Sequence, residues 1–187
     1  MEEEYLDEII LKEKNRRRKE RYIKEIMEQG LPEEVLQTIE IGEIAEIKIP
    51  LFFQDMPQNI IDRKYVFEPQ PQIIMTNRRG TVDFTFSVLE VSVPGEQLQE
   101  NVDTAKKGMQ RFLPTALFRD EGHESIHGVE VCWFSYIRTT PDGQKTYNMI
   151  FYAAMERTIV ITMCCVLTLW EKWSVITKYC VSTLKGR

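Results

Sequence analysis

Hydrophobic and polar positions alternate most cleanly where Val82, Phe84, Phe86 and Val88 interleave with Thr81, Asp83, Thr85 and Ser87. That period of two predicts a half-buried strand. Its partner, across the turn Asn77-Arg78-Arg79-Gly80, is the run opened by Ile73, Ile74 and Met75. Upstream, Ile44, Ile47 and Ile49 predict a short strand over 43–49 that Pro50 ends, and the proline-flanked stretch 58–71 reads as a connecting loop. Downstream, Pro94-Gly95 breaks the chain, and Leu98, Val102, Ala105, Met109 and Phe112 follow at helical spacing, predicting an amphipathic helix over 96–113. Residues 117–128 read as a polar loop. Three strands follow over 129–139, 144–155 and 158–167, joined by Pro141-Asp142-Gly143 and by Glu156-Arg157. A closing helix over 169–184 carries Trp170, Trp173, Ile176, Cys180 and Leu184 on one face. The predicted order is three strands, a helix, three strands and a helix. The expected class is therefore α+β: a twisted antiparallel sheet of about six strands with both helices on one face.

The first 29 residues form a helix of another kind. Residues 1–11 carry five acids and no base, and residues 12–21 carry seven bases and two acids. Apolar residues cluster at Tyr5, Leu6, Ile9 and Ile10 and again at Tyr22, Ile23, Ile26 and Met27, with a fully charged middle. A helix so patterned cannot bury a continuous face. It is expected to touch the body, or a second copy, at its two ends before Gly30, Leu31 and Pro32 stop it. The chain thus divides into a helical extension, 1–41, and an α+β domain, 42–187.

Length and composition narrow the function classes. The chain has 187 residues, 43% of them hydrophobic and 28% charged, with a formal net charge of −5. That is enough for one self-sufficient core. The acidic start lacks the basic head and apolar run of a secretory signal. The longest uncharged stretch, 158–170, is thirteen residues, and a membrane-crossing helix needs about 20. The expected location is the cytoplasm, where Cys132, Cys164, Cys165 and Cys180, with no CxxC spacing, are reduced core fillers. The basic run Asn15-Arg16-Arg17-Arg18-Lys19-Glu20-Arg21 is flanked by acids, so residues 1–21 sum to zero, and no aromatics interleave for base stacking. No nucleic-acid partner is expected.

Candidate chemistry is sparse. His123 and His127 flank Glu124, and an i, i+4 pair on a helix would bring two imidazoles together as metal ligands. Gly122 and Gly128 bracket the segment, however, and the order is not HExxH. The pair reads as part of a solvated loop, with a metal-dependent enzyme as the lesser alternative. Adjacent Cys164 and Cys165 must point to opposite sheet faces, and no GxSxG, Walker or GxGxxG pattern occurs. No carboxylate sits in an apolar setting, Asp83 lying on the polar side of its strand. No catalytic residue, metal or cofactor is assigned.

Aromatic residues concentrate in the three-strand meander: Trp133, Phe134, Tyr136, Tyr147, Phe151 and Tyr152 lie on two adjacent strands. One face packs on the helices. The other face is expected to stay open and to present Phe134, Tyr136, Tyr147 and Tyr152 to a partner, because large exposed apolar patches usually bind something.

The element order, together with Ile126-His127-Gly128-Val129 entering the meander and Leu169-Trp170-Glu171-Lys172-Trp173 opening the last helix, resembles the Mog1/PsbP-like fold family over about residues 44–185. The small bacterial DcrB-like and EagR-like proteins look nearest. The resemblance implies binding rather than catalysis: a chaperone or adaptor, as a homodimer, holding a hydrophobic segment of a secreted or membrane-directed client on the open sheet face. The rival reading is a structural or regulatory subunit that docks through the helix at 1–29.

Overall fold

The computed structural model describes residues 2–66 and 69–187, with side chains described from Ile9 onward. The elements in chain order are α1 (Glu2–Gln29), β1 (Leu36–Ile41), β2 (Ala45–Pro50), β3 (Gln54–Asp55), α2 (Gln58–Lys64), β4 (Ile73–Thr76), β5 (Val82–Val88), α3 (Gly95–Phe112), β6 (Leu117–Ile126), β7 (Val129–Thr139), β8 (Lys145–Ala153), β9 (Ile159–Val166), α4 (Trp170–Ser182) and β10 (Lys185–Gly186). The class is α+β, as the alternation predicts.

There are two sheets rather than one. Seven antiparallel strands run in the order β3-β4-β5-β9-β8-β7-β6, and a smaller sheet has the order β1-β2-β10. The chain leaves β5 near the middle, crosses through α3 to the far edge at β6, and returns by the meander until β9 pairs with β5. Leu36–Ile41, expected as part of the helical extension, is a strand paired along its whole length with β2. Residues 117–126, expected as loop, form the edge strand β6. Between Phe118 and Ile126 its side chains are polar on both faces, which hides the period of two. Gln58–Lys64 forms about two helical turns within the expected loop.

The two main helices lie on opposite faces of the large sheet, which corrects the expectation that they share one. Alternation along β7 decides this. Val131 and Trp133 join a core with Phe84, Phe86, Met149, Phe151, Ile161 and Met163, sealed by Trp173, Ile176 and Cys180 of α4 and by Ile41, Ile47 and Ile49 of the small sheet. Cys132, Phe134 and Tyr136 point the other way, with Ile150, and pack under Leu98 and Val102 of α3. Both faces of the meander are apolar, so each needs a cover, and a single layer of helices cannot supply both.

The N-terminal helix docks by its C-terminal end. Ile26 is buried, the Tyr179 hydroxyl donates to the Leu31 carbonyl at 3.1 Å, and the Lys172 ammonium lies 4.9 Å from the Tyr22 ring centre. Gly30, at φ +73°, ends α1 with its N–H on the Ile26 carbonyl. A Cβ there would meet the Tyr179 ring at 2.4 Å, so glycine serves both the left-handed turn and the close approach. The charged middle of α1 is laced within itself, Glu13 pairing with Arg16 and Arg17. The two guanidinium groups hold the Glu13 carboxyl down at about 2. The expected contacts of Tyr5 and Leu6 lie outside the described side chains. Among the described residues, no helix is long and apolar enough to cross a membrane.

Candidate functional site

A β-bulge helps to build a concavity at the end of the large sheet. Phe118 pairs with Tyr136 and Glu121 with Phe134, so β6 carries one extra residue across Arg119 and Asp120. Buried Ser135 of β7 stabilises it: its hydroxyl accepts from the Asp120 N–H at 3.1 Å and donates to the Asp120 carbonyl at 3.3 Å. A bulge re-aims side chains that a regular ladder would alternate. Here Arg119 and Asp120 form one lip of a cleft of about 830 Å³ at the end of the sheet.

The cleft floor is apolar. Tyr147 of β8 and Trp170 at the start of α4 lie 5.6 Å apart, ring centre to ring centre, beside Ile137, Val166 and Leu167. Lys145 closes one side, and Lys19 of α1, ion-paired to Glu171 at 2.5 Å, closes the other. Thr168, exposed on the short turn before α4, stands at the mouth. Burial pushes the Tyr147 hydroxyl above its ordinary value, so it stays protonated through the physiological range. Arg119 and Lys145 make no ion pair among the described residues. The arrangement offers an aromatic floor edged by three cations, Lys19, Arg119 and Lys145, and two carboxylates, Asp120 and Glu171.

Of the four aromatic candidates, the structure brings three together and separates the fourth. Phe134 stacks near Phe118 and Tyr152, with centroids at 5.8 and 6.4 Å, and Tyr136 stacks on Phe118 at 5.5 Å. These lie on the α3 face, where Phe134 and Tyr136 are buried and Tyr152 is half-buried. The expectation of an open aromatic face is corrected accordingly: α3 covers it. Tyr147 lies on the opposite face and lines the cleft. Arg119, Asp120, Lys145 and Trp170 were not among the sequence candidates. The charged run Arg119-Asp120-Glu121 inside a strand is the trace that the bulge leaves in the sequence.

The two histidines do not converge. His123 Nε2 lies 2.6 Å from Glu130 Oε2 on the adjacent strand. His127, at φ +49°, forms with Gly128 the two-residue turn between β6 and β7, and its Nδ1 donates to the Leu184 carbonyl at 2.9 Å. Glu124 alternates to the sheet face opposite His123. Among the described residues, no group of three or more metal-ligating side chains gathers. All four cysteines are free, and burial raises the thiols of Cys132 to about 11 and of Cys165 and Cys180 to about 12, far from a reactive thiolate. Asp83 also departs from expectation. Its side chain is fully buried and ion-paired with Lys64 of α2, taking hydrogen bonds from Thr76 at 2.8 Å and from Tyr65 at 3.3 Å.

By structure, the chain is similar to cyanobacterial PsbP (CyanoP) from Synechocystis sp. PCC 6803. The two share 10% identity over 84% of this chain and 96% of that one, with a TM-score of 0.57. It is also similar to LpqN, involved in cell envelope biogenesis of Mycobacterium tuberculosis, at 8% identity over 81% and 90% of the two chains, with a TM-score of 0.53. The fold is Mog1/PsbP-like. No family model and no curated protein matches the sequence. At such identities the likeness concerns the fold alone. On this Mog1/PsbP-like frame the cleft is assembled from the bulged β6 edge, the β7–β8 hairpin and the start of α4, with α1 as an added wall.

Proposed function

We propose that this is a binding protein of chaperone or adaptor type, without catalytic chemistry, that holds a short apolar segment of a protein partner in the cleft beside α1. The carrying observation is the cleft of about 830 Å³ with Tyr147 and Trp170 as its floor. Its volume falls in the range of ligand pockets, whose linings are mostly apolar with a few placed polar groups. Aromatic anchors of this kind dominate binding energy at protein interfaces. The sheet-face aromatics Phe134, Tyr136 and Tyr152 contribute indirectly in this reading, by holding α3 and β6 in place behind the bulge.

The test is selection of a displayed random peptide library on the immobilised full chain, followed by calorimetry of the selected peptides. Thr168→Trp fills the mouth of the cleft from an exposed position and leaves the core untouched. Peptides that carry an apolar anchor and lose affinity for Thr168→Trp support the reading. Selected peptides that bind Thr168→Trp as they bind the original chain overturn it.

A further inference from the structure

The α1 helix divides its charge along one stripe. Positions 4, 8, 11, 15, 18 and 22 are separated by alternating steps of four and three, which places them on one stripe of the helix. Leu11 on that stripe is 59% exposed, and its neighbours Ile9 and Ile10 are about half exposed. Among the described residues, α1 meets the body through the Lys19–Glu171 ion pair, the Lys172 ammonium over the Tyr22 ring and the buried Ile26. These contacts lie in the C-terminal half of a helix about 42 Å long.

The same stripe runs into a basic notch. Asn15, Arg18, Lys19 and Tyr22 of α1 face Lys172 of α4 across a hollow of about 320 Å³. Lys19 is taken by Glu171, but Arg18, Arg21 and Lys172 make no ion pair among the described residues. Partial burial lowers the ammonium pKa of Lys172, as for a cation that lacks a counter-charge. On a chain of net charge −5, this is a local excess of positive charge.

The complement lies at the other end of the same helix: residues 2–8 hold five carboxylates and no base. We infer that α1 pairs antiparallel with the α1 of a second copy, the acidic segment 2–8 of each lying along the basic segment 18–24 and the notch of the other. A two-fold axis beside Glu13 sets position 8 opposite Arg18 and Leu11 against Asn15, and every such contact occurs twice. A parallel pair would set acid on acid and base on base, so the charge pattern selects the antiparallel one. The notch shares Lys19 with the cleft, whereas Arg18 and Arg21 lie outside the cleft lining, so reversing their charge tests the dimer apart from the cleft reading.

The test is sedimentation velocity of the full chain across a range of salt and protein concentration. A dimer that weakens with salt is expected. Arg18→Glu with Arg21→Glu, and separately Glu4→Lys with Glu8→Lys, should each raise the dissociation constant by roughly tenfold or more through like-charge contacts. Mixing the two reversed chains should restore a heterodimer. Helicity by circular dichroism confirms that each variant keeps α1. A wild-type chain that stays monomeric at low salt overturns the inference. So does a dimer that ignores either reversal, or a mixture that fails to re-pair.

Discussion

Asp83 is the most exacting test of how this fold tolerates charge. Its side chain is fully buried, whereas that of its partner Lys64 is 40% exposed. The carboxylate also accepts hydrogen bonds from Thr76 and Tyr65, and burial, reinforced by the Asp83 charge, drives the Tyr65 hydroxyl well above its ordinary value. The two partners therefore respond unequally to removal. Lys64→Met leaves a buried carboxylate with two hydroxyl donors and without its ion-pair partner, which costs about 3–5 kcal/mol. Asp83→Asn keeps an acceptor for the hydroxyls and frees Lys64 to turn into water, for about 1–2 kcal/mol. In the double variant no charge is stranded, so its loss should also be about 1–2 kcal/mol. The second substitution is thus expected to rescue the first, with the double change about 3–5 kcal/mol milder than the two singles summed. Urea unfolding of the four chains measures this, provided the slope of free energy against urea stays constant. If adding Asp83→Asn to Lys64→Met destabilises further, the buried-charge argument is wrong.

Two further expectations follow from the site and the core. Ser135→Ala removes the hydroxyl that bridges both backbone groups of Asp120. It should cost about 1–3 kcal/mol and shift the Arg119 and Asp120 amide resonances while leaving those of β9 in place. Cys132, Cys165 and Cys180 keep their protons in the folded chain to about 11, 12 and 12, against an ordinary 9.0. The native state thus binds more protons than the unfolded state above pH 9, so stability is full below that value and falls as pH rises toward 12. Thermal unfolding against pH measures the loss. Thiol reagents should modify these three residues only at the rate of unfolding.

Period and punctuation along the chain were sufficient for the class and for most elements. The strands at Val82–Val88 and Val129–Thr139, the helix at Gly95–Phe112 and the terminal helix are local events. Each announces itself through side chains that repeat at two or 3.6 residues. Edge strand β6 stayed hidden because solvent on both sides relaxes the alternation, and β1 because its partner is needed to make it a strand. Sequence spacing also showed that neighbours such as Phe134 and Tyr136 share a face while Trp133 takes the other.

Which face each helix covers was beyond that reading. A strand pattern is symmetric under exchange of its two faces, so only the path of the chain could assign α3 to one and α4 to the other. That assignment closed the aromatic face over Phe134 and Tyr136 and carried Tyr147 to the opposite side. The cleft likewise depends on one extra residue in β6 and on a hairpin, a helix start and α1, which lie far apart in sequence. The charge asymmetry of α1 is written in the chain itself. The notch that gives it a docking place exists only once Lys172 is folded against Tyr22, because electrostatic complementarity belongs to positions in space.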